Sequence, residues 1–176
     1  MLKIPFEIGD IKFDIYSDNT VWCFFDHPST VGCLEMISHI DCQDKDILDL
    51  GCGAGLLGIY SKLKGAKSVD AKDITASSLG LTLINSQLNN VDINIGLASI
   101  KFDKTYDIII ANLETHIFLM YLKEIETHLN QGGKVIMTFP DKIQLENELN
   151  RANSSLTIVG ENDLPKYRTF VLEVRQ

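Results

Sequence analysis

The chain has 176 residues, with 16 basic against 24 acidic side chains and a formal charge of −8. That balance argues against an extended nucleic-acid footprint and suits a basic protein or peptide partner. At 45% hydrophobic residues the composition is globular, and no apolar run approaches a membrane span. The length predicts one domain over 1–176 with enough interior for a core. No basic segment followed by an apolar one opens the chain, so no signal peptide is predicted. The cysteines at 23, 33, 42 and 52 form neither a C-x-x-C pair nor a zinc spacing, which predicts reduced thiols and a cytoplasmic location.

Residues 4–8 and 11–16 alternate around Gly9-Asp10, which predicts a hairpin or two short edge strands. Trp22, Phe24 and Phe25 form an aromatic cluster expected to serve packing. Val31, Leu34, Met36, Ile37 and Ile40 recur at helical spacing over 29–40, with Pro28 and Ser29 at the start. A strand at 46–50 is followed by a helix at about 55–64, ended by Gly65, and by a strand at about 68–73. The next helix spans Thr75 to Asn89, with the apolar Leu79, Leu83, Ile84 and Leu88 on one side. Val91 to Ile95 reads as a strand, 96–105 as loop, and Tyr106 to Asn112 as a buried strand. A helix at about 115–129 ends before Gly132-Gly133, with a strand at 134–139 and a helix at 141–152. Segments at about 155–161 and 168–175 flank Asp163-Leu164-Pro165-Lys166 as an antiparallel hairpin. Alternating strands and helices imply right-handed crossovers and a mostly parallel α/β sheet, closed by this hairpin.

The stretch Asp46-Ile47-Leu48-Asp49-Leu50-Gly51-Cys52-Gly53-Ala54-Gly55 reads as a buried strand entering a glycine turn that opens a helix. Glycines at 51, 53 and 55 permit positive φ and close approach of a ligand to the backbone. Asp49 lies at the carboxyl end of the strand, where open α/β sheets bind ligands. A carboxylate there favours a ligand with positive charge and hydroxyl donors, such as S-adenosylmethionine, over a bare pyrophosphate. Gly53-x-Gly55-x-x-Gly58, with Asp73 20 residues after Gly53, also fits a dinucleotide fingerprint. Asp49, which would face the phosphates, and the short chain favour the methyl donor.

Two further segments resemble a known family. Asp26-His27-Pro28-Ser29-Thr30-Val31-Gly32-Cys33-Leu34-Glu35 is similar to the His-Pro-Thr-Thr-x-x-Cys-Leu-Glu segment of PrmA-type ribosomal protein methyltransferases. Asp107-Ile108-Ile109-Ile110-Ala111-Asn112-Leu113 resembles their Asp-x-x-x-Ala-Asn-Ile/Leu strand, and Asn85, Asn89 and Gly132-Gly133-Lys134 also look like that family. The resemblance runs from about Asp26 to the C-terminus. It implies a Rossmann-like class I methyltransferase fold with a seven-stranded sheet, and S-adenosylmethionine as donor, leaving S-adenosylhomocysteine. Three departures stand out. Only about 25 residues precede the matching part, so the family's separate recognition domain is not expected. Cys23-Phe24-Phe25 replaces the usual Gly-Thr-Gly, and Gly96-Leu97-Ala98-Ser99 lacks the acidic residue expected near the adenine.

On this reading Asp49, Gly51, Gly53 and Gly55 hold the amino-acid end of the donor, and Asp73 accepts from both ribose hydroxyls. Ile74 packs on the adenine or belongs to the core. Asn112 offers its side-chain carbonyl to a substrate amine beside the methyl group, or satisfies a local turn. Thr30 and His27 line the ligand mouth; Glu114 or His116 takes a proton, or simply begins the next helix. His39 and His128 read as helix-face residues. The expected acceptor is a protein or peptide nitrogen. A small-molecule acceptor and a non-catalytic donor-binding protein remain open. A nucleic-acid base is disfavoured, because Asn112-Leu113-Glu114-Thr115 lacks the Asn-Pro-Pro-aromatic turn. Acceptor identity and oligomeric state stay undetermined.

Overall fold

A computed structural model describes residues 1–18, 21, 25–162 and 168–175. Strands β1 (Leu2–Ile8) and β2 (Ile11–Ser17) form a separate antiparallel hairpin, turned at Gly9 with φ 59°. The main body then runs α1 (Pro28–His39), β3 (Asp46–Leu50), α2 (Leu56–Leu63), β4 (Ser68–Asp73), α3 (Ala76–Leu88) and β5 (Asn94–Leu97). It continues through β6 (Tyr106–Ala111), α4 (Thr115–His128), β7 (Leu129–Phe139), α5 (Lys142–Arg151), β8 (Leu156–Asn162) and β9 (Arg168–Val174).

The sheet order is β5-β4-β3-β6-β7-β9-β8. The strands from β3 to β7 are parallel, while β9 is antiparallel to both β7 and β8. This is the Rossmann-like class I methyltransferase topology expected from the sequence, with its seven strands and antiparallel C-terminal pair. Chain order reverses between β3 and β6, and such a switch point leaves a crevice at the carboxyl ends of the strands. Both sheet faces are covered, which explains why Ile47, Leu48 and Leu50 in β3 and Ile108, Ile109 and Ile110 in β6 are apolar on either side of the sheet. Ile47, Ile108 and Ile110 pack on the α1/α2 side, and Leu48, Leu50 and Ile109 on the α4/α5 side.

Two expectations need correction. The strand predicted at Val91–Ile95 begins only at Asn94. Asn90 takes φ 52° and Val91 N–H closes on Ser86 O at 3.0 Å, so the residues before Asn94 are consumed in leaving α3. Gly132 and Gly133 lie inside β7 rather than before it. The pairing jumps from Tyr106 with Leu129 to Ile108 with Lys134, and the extra residues form a bulge around Gly132 at φ 73°. The buried side of α3 is Ser78, Leu81, Thr82, Asn85 and Ser86, whereas Leu83 and Ile84 are exposed. That face meets backbone groups of the glycine turn and of β2, so hydrogen-bonding side chains replace apolar ones.

Cys33, Cys42 and Cys52 are buried free thiols. Phe25 packs edge-on against Phe6 at 5.6 Å, as a packing role requires. Trp22, Cys23, Phe24 and the turn at 163–166 lie outside the described residues. Among the described residues no helix is long and apolar enough to cross a membrane.

Candidate active site

A cleft of about 560 Å³ opens at the carboxyl ends of β3, β4 and β6. Its floor is the glycine turn. Gly51 and Cys52 both donate their N–H to Lys72 O, at 2.8 and 3.1 Å, which ties the turn to β4. Gly51 sits at φ 76°, and a Cβ there would run into Cδ2 of Leu113. The positive φ is what favours glycine at this position, and a side chain there would in addition force Leu113 to move.

Gly55, at φ 81°, precedes α2 and offers no side chain to cap it. Asp49 does so from below: its Oδ2 accepts from Gly58 N–H at 2.8 Å, in the first turn of the helix. Burial pushes the Asp49 carboxyl up to about 7, with the Gly58 hydrogen bond opposing and the Asp73 charge reinforcing the rise.

Asp73, at the end of β4, is also buried. Its Oδ2 accepts from Gly53 N–H at 3.0 Å and its Oδ1 from Thr75 N–H at 2.9 Å. Thr75 has one hydroxyl proton, within reach of Asp73 Oδ1 at 3.1 Å and of Ser78 Oγ at 2.7 Å. With that proton on Ser78, the nearer acceptor, each oxygen of Asp73 keeps a lone pair. Such a carboxylate fits a vicinal diol, and glycines without side chains leave room beside it. The residues present therefore fit the nucleoside part of S-adenosylmethionine.

Across the cleft, Asn112 follows β6 and is half-buried. Its Oδ1 accepts from Thr138 Oγ1 at 3.0 Å, and its Nδ2 approaches Thr30 Oγ1 at 3.4 Å. One Oδ1 lone pair remains. His27 caps α1, its Nδ1 accepting from Ser29 N–H at 3.3 Å, and also faces the cleft. Glu114 and His116 stand 3.4 Å apart, both well exposed; Glu114 lines the mouth, whereas His116 is not among the lining residues.

The structure thus brings together Thr30, Gly51, Gly53, Asp73, Ile74 and Asn112. Ile74 is 76% exposed, so it is no core residue. Asp49 and Gly55 are not among the lining residues: Asp49 braces the turn from behind, and Gly55 is held there by N–H to Cys52 O at 2.8 Å. Thr75, Ser78, Leu113 and Thr138 also line the cleft, although the sequence motifs do not mark them. Thr75 was findable as a hydroxyl residue just before a helix, the usual N-cap signal. Thr138 carried no local signal.

A family profile described as "Ribosomal protein L11 methyltransferase (PrmA)" matches residues 25–139. A Dictyoglomus thermophilum protein of the same description is 30% identical over 152 residues, covering 78% of this chain and 50% of its own length. The crystal structure of a ribosomal protein L11 methylase from Lactobacillus delbrueckii subsp. bulgaricus superposes with TM-score 0.77 at 29% identity, covering 87% of this chain and 81% of that one. A T. thermophilus 16S rRNA methyltransferase (RsmC), solved with AdoMet and guanosine, superposes with TM-score 0.78 over 99% of this chain and 50% of its own, but at 15% identity. That last likeness speaks for the fold alone.

Fold and site define a class I S-adenosylmethionine-dependent methyltransferase domain. Within that class the chain belongs to the PrmA family, which sets aside the dinucleotide reading of the glycine string. The chain spans about half the length, or less, of the curated relatives it matches.

Proposed function

We propose that this chain binds S-adenosylmethionine in the cleft and transfers its methyl group to a nitrogen of a protein or peptide. The observation that carries the reading is the pair Asp73 and Asn112 facing one cleft, with no lysine or arginine among its described lining residues. Asp73 suits the ribose diol, Gly51 and Gly53 the amino-acid end, and the exposed Ile74 the adenine face. The bound donor supplies an electrophilic methyl carbon on a sulfonium. Asn112 accepts an N–H of the incoming amine on its free Oδ1 lone pair, which turns the nitrogen lone pair toward that carbon. The nitrogen–carbon bond forms as the carbon–sulfur pair returns to sulfur, and the methylated amine then sheds its proton.

Among the described lining residues, an acceptor rich in phosphate would meet the carboxylates of Asp73 and Glu114 and no lysine or arginine, on a chain of formal charge −8. An amine on a basic protein suits that environment better. The domain is expected to act in the cytoplasm, where such acceptors and the donor coexist.

The test is calorimetric titration with S-adenosylhomocysteine, with NAD as control, followed by labelled donor and cell extract. Saturable binding of the first ligand alone, with label lost to protease and not to nuclease, is the expected result. Label lost to nuclease would move the acceptor to nucleic acid, and label in the small-molecule fraction would make it a metabolite. Binding without any transfer would overturn the enzymatic reading.

A further inference from the structure

An isolated hairpin leaves the backbone groups of its outer edges without partners. In β2 two of the residues concerned, Asp14 and Tyr16, are each met by one asparagine of α3. Asp14 N–H donates to Asn89 Oδ1 at 3.0 Å, and Asn89 Nδ2 returns a bond to Asp14 O at 2.7 Å. Tyr16 N–H donates to Asn85 Oδ1 at 2.7 Å, and Asn85 Nδ2 returns one to Tyr16 O at 3.0 Å. Residues four apart on a helix and two apart on a strand are spaced alike, so two side-chain amides act as a further strand.

The two asparagines then diverge. The remaining bond of Asn89 goes to Asn85 O within the same helix, at 2.8 Å. The second Nδ2 bond of Asn85 goes to Ala54 O, in the glycine turn, at 2.8 Å. Ala54 is fully buried, so its carbonyl has no access to water if that donor is lost. One turn of α3 earlier, Thr82 Oγ1 donates to Gly53 O at 3.0 Å. The carbonyls of Gly53 and Ala54 are therefore both held from α3, but of these two supports it is Asn85 that is itself held by the hairpin. With Oδ1 committed to Tyr16 N–H, its two N–H bonds fall on Tyr16 O and Ala54 O.

We propose that Asn85 is a positioning residue for donor binding, and that through it the β1–β2 hairpin is part of the donor-binding apparatus. The inference rests on the donor reading given above. A preformed turn binds without first being ordered, and Asn85 supplies that order by fixing the peptide next to Gly53.

The test compares S-adenosylhomocysteine affinity in the unaltered chain, Asn85→Ala and Asn89→Ala. Both substitutions strip one clamp from β2, so both lower the melting temperature. Asn85→Ala is expected to weaken binding about tenfold, equivalent to about 1.4 kcal/mol, with Asn89→Ala within twofold of the unaltered chain. Equal losses in both variants, or a loss in neither, overturn the proposal. Absence of binding by the unaltered chain overturns the donor reading and the proposal together. A second measurement needs no variant, because coupling between sites is reciprocal. Saturating S-adenosylhomocysteine should slow hydrogen exchange of the Tyr16 amide in the unaltered chain, and an unchanged rate overturns the proposal.

Discussion

The wall of the cleft built on the glycine turn and the wall that carries Asn112 are secured in different ways. On the first, Asp73 holds Gly53 N–H, Thr82 holds Gly53 O, Asn85 holds Ala54 O and Asp49 holds Gly58 N–H. These are side chains fixing backbone, and they come from β3, β4 and α3. On the second, one side chain hangs between two hydroxyls, Thr138 from β7 and Thr30 from α1. Backbone fixed at several points is rigid, but damage to it propagates into folding. A side chain fixed at two points can be displaced with little cost to the fold. The first wall should therefore report substitutions as lost affinity or stability, and the second as lost rate.

The largest effect on donor affinity is expected at Gly51. In Gly51→Ala the new Cβ meets Leu113 at a backbone angle that L-residues avoid. Calorimetry should find S-adenosylhomocysteine affinity reduced more than about a hundredfold, roughly 2.7 kcal/mol. Gly132→Ala is the matched control. Gly132 has φ 73° as well, but nothing lies within 4 Å of its Cβ position, and it is not among the cleft residues. It should cost about 1–2 kcal/mol of stability and leave binding intact. Equal loss of affinity in both would mean that strain anywhere in the sheet, not the turn, governs the ligand.

Asp49 tests the same wall through pH. Its carboxyl is raised from 3.8 to about 7, so between those values the folded chain holds a proton that the unfolded chain has released. Stability must then fall as pH rises through that window. The contribution approaches about 4 kcal/mol above pH 7 as an upper bound. Asn at this position keeps an acceptor for Gly58 N–H and does not titrate. The melting temperature of Asp49→Asn should therefore exceed that of the unaltered chain at pH 8 and converge with it near pH 5. Parallel curves would show that Asp49 does not hold its proton.

How much of this was legible in the sequence depends on the range over which each feature is determined. β3 and β4 were placed to the residue because an apolar run and the glycine turn are local signals. Alternation around Gly9-Asp10 points to the two N-terminal strands but leaves open whether they pair with each other, and it misses Leu2, Lys3 and Ser17 at their ends. The buried face of α3 is not its apolar side, because hydrophobic spacing assumes an apolar neighbour, and Thr82 and Asn85 instead serve backbone carbonyls. The family-like Asn85 and Asn89 were visible as letters, but their partners Tyr16 and Asp14 lie 69 and 75 residues away. Asp49 stands at a strand end, the usual place for a ligand contact, yet its partner Gly58 lies on the far side of the turn. Of the Asn112 wall, the asparagine was legible and its support was not, since Thr138 is 26 residues distant.

A smaller effect is expected at Asp73. Asp73→Asn retains one acceptor and loses the charge that strengthens bonds to a diol. It should weaken S-adenosylhomocysteine about thirtyfold, near 2 kcal/mol. Unchanged affinity would remove Asp73 from the ribose.

The smallest effect should come from Thr138, and it is the sharpest test of the contrast. Thr138→Val deletes the hydroxyl and keeps the shape, so Asn112 loses its 3.0 Å partner while the 3.4 Å approach to Thr30 remains. One net hydrogen bond is worth roughly 0.5–1.5 kcal/mol, which predicts a turnover lowered about two- to tenfold. Donor affinity should stay within twofold, because no contact of the glycine turn is touched. Thr138→Ser restores the donor to Asn112 Oδ1 and should recover the rate even where packing is slightly worse. The acceptor KM serves as an internal check: an asparagine that swings freely loses orientation more than encounter, so kcat should carry the loss. If Thr138→Val instead lowered donor affinity as much as turnover, the two walls would be one cooperative unit, and the hydroxyl's role would be structural.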